Sequence, residues 1–232
     1  MYQISLQRQY FNWLVVGLFC AGFYLPLWAS ESLAHLNNKS QQNTEKIVLI
    51  VGDSLSAEYG LTRGTGWVQL MSEQAAKEMV KVRIVNASIS GDTSSGGVSR
   101  LPQLLQIHKP HLLIVELGGN DALRGLSMRM TQQNLSSMAK QAKKTGAKVM
   151  LVAMQIPPNY GANYAQQIAQ AYQSVSKETG AELNNSFLKG IADDADPLKW
   201  FQPDRIHPNE GAQNTMMKNI WPQLRKMLAE PK

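Results

Sequence analysis

The chain predicts an α/β fold, a three-layer α/β/α sandwich around a central, mainly parallel sheet, and three observations carry that expectation. Short apolar runs alternate with longer stretches of helical period. Polar, glycine-containing motifs follow directly on several of the apolar runs. The length that remains after an apolar leader suits one domain with a full core, without metal or disulfide support. Strand–helix alternation implies a parallel sheet, because each helix carries the chain back to the same end.

Taken in order, strands are expected at residues 47–51, 82–86, 112–117 and 149–155, with helices at about 67–79, 98–108, 131–145 and 164–179. A short strand near Glu182 and Leu183 and a closing helix at about 209–228, bent at Pro222, complete the layers. In such sheets ligands sit outside the carboxyl ends of the strands. Ser54, Gly91 and Asn120 each follow an expected strand, so the topology brings them to one crevice.

The run Lys46-Ile-Val-Leu-Ile-Val51 stops abruptly at Gly52-Asp53-Ser54-Leu55, which sets a serine hydroxyl at the top of the sheet. A serine is a weak nucleophile at neutral pH and needs a base, an orienting carboxylate and oxyanion donors. Asp204-Arg205-Ile206-His207 supplies the first two: on a tight turn Asp204 accepts the imidazole N–H and selects the tautomer whose other nitrogen faces Ser54. Oxyanion donors are expected from the Gly91 N–H and the Asn120 amide, on the segments 86–93 and 116–121.

These blocks, in this order, resemble those of the SGNH (GDSL-type) hydrolases. The resemblance extends to Asn86-Ala-Ser-Ile-Ser-Gly-Asp-Thr93, Val115-Glu-Leu-Gly-Gly-Asn-Asp121, Leu123-Arg-Gly125, Asn159-Tyr-Gly161 and Ile206-His-Pro-Asn209, which are similar to the bacterial periplasmic thioesterase/lysophospholipase branch, also described as arylesterases. It implies a flavodoxin-like SGNH fold, Ser54 as nucleophile, His207 as base, Asp204 as its partner, and an oxyanion hole of the Ser54 N–H, Gly91 N–H and Asn120. It implies no cofactor and no metal. Ser56 stands where an α/β-hydrolase elbow has its second glycine, so a looser turn is expected around Ser54. Ala122 occupies a position where the family leads one to expect glycine, and Pro203 precedes Asp204; both bear on the shape of the cleft.

The expected activity is hydrolysis of carboxylic esters and acyl thioesters through an acyl-enzyme on Ser54. Small-molecule acyl esters or thioesters, with lysophospholipids among them, are the expected substrates. By resemblance the loop Gln155-Ile-Pro-Pro-Asn-Tyr-Gly161 lines the acyl site, which makes Leu55, Ile156, Pro157, Pro158 and Tyr160 candidate substrate contacts. A carbohydrate O-acetyl esterase with the same triad is the alternative, and a catalytically silent lipid- or glycan-binding protein a more remote one. Asp53 is expected to bond nearby backbone N–H groups, Asp121 to serve as a turn or cap residue, and His108 and His111 to lie at the surface rather than bind metal.

Residues 1–34 read as a secretory signal peptide or N-terminal anchor, 35–45 as a polar linker and 46–232 as the catalytic domain. Arg8 gives a positive start, 9–30 carries no charge, and Ser32-Leu33-Ala34 offers a cleavage site, with Leu27-Trp28-Ala29 competing. The domain is therefore expected to be periplasmic or secreted after cleavage, and membrane-anchored if the leader is retained. The single cysteine, Cys20, lies in the leader, which removes disulfides, thiolate–zinc sites and cysteine nucleophiles from a processed chain. The net charge of +6 gathers in part at Lys140, Lys143, Lys144 and Lys148, without the interleaved aromatics of a nucleic-acid surface. No nucleic acid is expected as partner; a monomer is, in transient contact with anionic lipid surfaces.

Overall fold

Five strands, β1 (Lys46–Gly52), β2 (Val82–Asn86), β3 (Leu112–Glu116), β4 (Lys148–Val152) and β5 (Glu182–Asn184), pair in parallel in the order β2-β1-β3-β4-β5. The computed structural model describes residues 45–156 and 160–230. The leader, most of the linker, and the expected substrate contacts Pro157 and Pro158 lie outside the described residues.

Side chains on a strand alternate between its two faces, and here both faces are apolar. Val48, Ile50, Leu112, Ile114, Met150 and Val152 pack on one side against α1 (Trp67–Lys77) and α6 (Glu210–Ala229). Leu49, Val51, Leu113, Val115, Val149 and Leu151 pack on the other against α2 (Ser94–His108), α4 (Met128–Lys144) and α5 (Ala162–Thr179). The alternation of one strand set between two helix layers is what makes the sandwich. Each fully buried Leu, Ile or Val contributes about 1.5–3 kcal/mol of transfer free energy.

The order 2-1-3-4-5 reverses direction at β1: the chain moves outward to β2, then returns across β1 to β3. The carboxyl ends of β1 and β3 thus flank the topological switch point, where a crevice opens. Gly52, the last residue of β1, pairs with Glu116, the last of β3, and closes that end. A side chain at Gly52 has no room there, since a Cβ would meet Glu116 Oε2 at 2.6 Å and Ser56 Oγ at 2.8 Å.

Several element bounds differ from the sequence expectation for identifiable reasons. Helix α2 begins at Ser94 rather than near Val98, because Thr93 caps it, its Oγ1 accepting the Gly96 N–H at 3.3 Å. Gly96 and Gly97 resemble helix breakers in sequence, but Gly97 serves close packing: a Cβ would meet Leu117 Cδ1 at 2.4 Å. Two short elements were not anticipated, α3 (Gly119–Leu123) and the 3-10 helix Pro197–Trp200. α6 runs through Pro222 as one helix.

The histidine expectation needs correction. His108 and His111 are both partly buried, and His111 Nδ1 accepts the Ile47 N–H at 3.0 Å, tying the start of β3 to β1. The lysine cluster is also more engaged than a purely solvated face. Lys140 pairs with Glu178 at 2.5 Å and Lys143 bonds Thr179 O, linking α4 to α5, while Lys148 bonds Met227 O and ties β4 to α6. Among the described residues no helix is long and apolar enough to cross a membrane.

Candidate active site

The serine turn begins where β1 ends. Ser56 N–H and Ala57 N–H donate to Asp53 O at 3.2 and 2.9 Å, and Tyr59 N–H donates to Ser54 O at 3.2 Å, so the chain coils loosely after the strand. Ser54 is left buried at the carboxyl end of the sheet, beside the crevice.

His207 reaches it from the far end of the chain. Its Nε2 lies 2.8 Å from Ser54 Oγ, while its Nδ1 lies 2.6 Å from Asp204 Oδ2. With Nδ1 donating to the carboxylate, Nε2 carries the lone pair that faces the serine hydroxyl. The turn that presents the imidazole is tied by Asp204 Oδ1, which accepts the N–H of Ile206 at 2.9 Å and of His207 at 3.0 Å. Partial burial alone would raise the Asp204 carboxyl pKa; the two backbone N–H groups and the imidazole outweigh it and hold the group below the usual carboxylate range. Pro208 O and His207 O are anchored by Gln202, whose backbone N–H donates to His207 O at 2.8 Å. The Tyr59 ring tilts over the imidazole at 4.5 Å between centroids, a contact that the sequence did not disclose.

Asn120 sits in α3, at the end of β3, with its Nδ2 donating to Asp53 Oδ2 at 3.0 Å. Asp53 Oδ1 accepts the Leu55 N–H at 3.1 Å, the local backbone bond expected of it. Behind Asp53 lies Glu116, whose Oε2 accepts from Ser56 Oγ at 2.5 Å and from the Asp53 N–H at 3.2 Å. Burial pushes Asp53 up to about 6, with the hydrogen bonds from Leu55 and Asn120 and the nearness of His207 opposing. Burial, then the Asp53 charge, drives Glu116 well above its ordinary value. A charge on either carboxyl therefore disfavours ionisation of the other in this buried site. Neither was singled out as a site residue from sequence; a lone glutamate at the end of the otherwise apolar run Leu112–Glu116 was the available signal.

Gly91 lies in the turn between β2 and α2 with φ of 79°, where a side chain would be strained. Its carbonyl accepts from Arg124 Nη2 at 2.9 Å. Asp121, expected as a turn or cap residue, instead joins neighbouring helices: it is buried, and accepts from Ser94 N–H at 2.8 Å, Ser94 Oγ at 2.5 Å and Thr131 Oγ1 at 3.0 Å, binding α2 and α4 to α3. Ala122 is fully buried.

A cavity of about 660 Å³ opens beside these groups. The sequence candidates Ser54, Leu55, Asn120, Ile156 and His207 line it, together with Ile168, Leu188, Leu198 and Phe201, which were not anticipated. The last three come from the irregular stretch between β5 and α6, where no periodicity marks a side chain's direction. Gly91 and Tyr160 are not among the lining residues; Tyr160 stacks on Tyr164 at 6.4 Å. Among the described residues no cluster of His, Cys, Asp or Glu could hold a metal ion.

A parallel sheet with a switch-point crevice, and a serine hydrogen-bonded to a histidine that is itself held by a carboxylate, define the class of serine hydrolases on a flavodoxin-like sheet. The comparisons make the family specific. The GDSL-like Lipase/Acylhydrolase family profile matches residues 50–213, more than half of the chain, and the chain belongs to that family. It is 45% identical over 189 residues to Esterase TesA of Pseudomonas aeruginosa, covering 82% of this chain and 92% of that protein. It is 40% identical over 168 residues to Thioesterase 1/protease 1/lysophospholipase L1 of Escherichia coli, covering 72% of this chain and 77% of that one. The crystal structure of the psychrotrophic esterase EstA from Pseudoalteromonas superposes with a TM-score of 0.75 at 36% identity, over 80% of this chain and all of that one.

Proposed function

We propose that this protein hydrolyses carboxylic esters and acyl thioesters through an acyl-enzyme on Ser54. One observation carries the reading above the rest: Ser54 Oγ, His207 and Asp204 form a continuous hydrogen-bonded line at 2.8 and 2.6 Å beside a largely apolar cavity. His207 takes the Ser54 proton as the hydroxyl attacks the acyl carbonyl, and Asp204 stabilises the imidazolium that forms. The Ser54 N–H, the Gly91 N–H and the Asn120 amide receive the developing oxyanion. His207 then protonates the leaving alcohol or thiol and activates the water that releases the acid.

The family relatives named as esterase, thioesterase and lysophospholipase support small-molecule acyl esters and thioesters as substrates. Ile168, Leu188, Leu198 and Phe201 favour an acyl chain over a sugar in the cavity. The carbohydrate deacetylase reading has no comparable support. Export by the leader at 1–34, the linker at 35–45, a monomeric state and transient contact with anionic lipid surfaces complete the reading; equal binding to anionic and neutral vesicles at low salt would remove the lipid contact.

The test is hydrolysis of p-nitrophenyl esters from acetyl to palmitoyl by the leaderless protein and by Ser54→Ala. Activity that depends on Ser54 and peaks at medium or long chains supports the proposal. Activity on acetate alone transfers it to a deacetylase, and no activity on any ester overturns it.

A further inference from the structure

Arg205 stands in the turn between Asp204 and His207 with φ of 61°, in the left-handed region that suits glycine or asparagine and strains a longer side chain. The turn itself requires that conformation. Arg205 N–H donates to Gln202 O at 2.9 Å, and the next two N–H groups turn back onto Asp204 Oδ1. Nothing in the turn requires an arginine side chain.

The other non-glycine residues with positive φ have local reasons. Glu58 uses its carboxylate to receive the N–H of Gly64 and Gly66, Lys109 closes the end of α2, and Met79 follows the end of α1. The Arg205 guanidinium, by contrast, has neither an ion pair nor a hydrogen bond among the described residues. The carboxylates of its own turn and of the cavity wall beside it bond other groups: Asp204 holds His207, and Asp193 accepts the Gly190 N–H. Arg205 is exposed, and of the described residues that line the cavity it is the only arginine or lysine.

With the acyl chain taken up by the apolar wall, the leaving alcohol would exit past the turn that carries His207, and Arg205 lines the cavity at that turn. We propose that Arg205 is a specificity-determining residue that recognises a phosphate carried on the leaving alcohol of an acyl ester. The inference rests on the ester-hydrolase reading of the same site. The phosphate belongs within a few atoms of the scissile oxygen, because Arg205 is two residues from His207. A planar guanidinium pairs with a phosphate through two parallel N–H bonds, which an ammonium matches only as a point charge.

The experiment compares 1-octanoylglycerol with 1-octanoylglycerol 3-phosphate, kept below micelle-forming concentrations, for the unmodified protein, Arg205→Asn and Arg205→Lys. Asparagine tolerates the left-handed turn and removes the charge; lysine keeps the charge. The ratio of kcat/KM for the phosphate ester over the neutral ester is expected to fall about fivefold in Arg205→Asn, through KM, and to recover only in part in Arg205→Lys, which restores the charge without the paired N–H bonds. Added salt should lower the same ratio in the unmodified protein and not in Arg205→Asn. An unaltered ratio in Arg205→Asn overturns the proposal, even if both rates fall, because equal losses mean only that the turn was disturbed. Octanoyl thioesters of pantetheine and 4′-phosphopantetheine form a second pair, with the phosphate much farther from the scissile bond; an effect confined to this pair also overturns it. If neither octanoylglycerol is hydrolysed while p-nitrophenyl esters are, the phosphate proposal alone fails. If no ester is hydrolysed, the hydrolase reading fails first.

Discussion

The Asn120 amide donates to Asp53 Oδ2 at 3.0 Å, spanning the gap between the ends of β1 and β3. One amide hydrogen is thereby held by a buried carboxylate, which leaves the second free to point into the crevice. If Asn120 is an oxyanion donor, Asp53 acts through it. Asn120→Ala is expected to lower kcat about 10²-fold or more. Asp53→Ala should lower kcat about tenfold with Asn120 present and far less in the Asn120→Ala background. Steady-state kinetics on the four proteins of the cycle provide the check, and equal losses in both backgrounds would show that Asp53 only supports the serine turn.

Asp204 Oδ2 sits 2.6 Å from His207 Nδ1 and fixes which imidazole nitrogen faces Ser54. Asp204→Asn presents an amide that can stabilise the opposite tautomer. The fold should persist while kcat falls by about 10⁴-fold, as when a triad carboxylate is neutralised elsewhere. Kinetics on a soluble ester, with circular dichroism to confirm folding, decide the matter.

The buried carboxyl pair gives stability a pH dependence of definite sign. Asp53 is raised to about 6 and Glu116 well above its ordinary value, so both bind protons more tightly folded than unfolded. Their contribution is complete below the ordinary carboxylate range near pH 4 and is lost as pH rises, through about 6 for Asp53 and higher for Glu116. Asp204, held low, works in the opposite direction and loses its contribution as pH falls. In Glu116→Gln one of the two raised groups is gone, so urea denaturation between pH 4 and 8 should show a shallower decline than in the unmodified protein. Parallel curves would refute a raised Glu116.

Gly97 lies inside α2 with no space beside it: a Cβ would meet Leu117 Cδ1 at 2.4 Å and Met138 Sδ at 2.9 Å. Alanine gains up to about 1 kcal/mol of helix propensity over glycine, whereas overpacking a core costs about 1–3 kcal/mol. The clash is expected to win. Gly97→Ala should melt roughly 2–4 °C lower, and a rise in melting temperature would mean that Leu117 and Met138 yield freely.

Much of this protein was legible in its sequence because the information was local or carried by order. Apolar runs separated by helical periods define a parallel sheet, and Gly52-Asp-Ser54, Gly91, Gly118-Gly-Asn120 and Asp204-Arg-Ile-His207 stand at strand ends or in a tight turn, where topology gathers them. The tautomer choice of His207 also followed from a spacing of three residues. What the tertiary structure decided depends on contacts between distant segments. The raised carboxyls of Asp53 and Glu116 arise only when β1 and β3 are paired, because burial and a neighbouring charge set the pKa values. Tyr59 meets His207, and Leu188, Leu198 and Phe201 form a cavity wall, only once irregular segments have packed. Periodicity encodes direction in a helix or strand and encodes nothing in a loop. For that reason the sequence alone determined the fold and the candidate catalytic residues, whereas three-dimensional packing decided the cavity, the carboxyl pair and the strained arginine beside them.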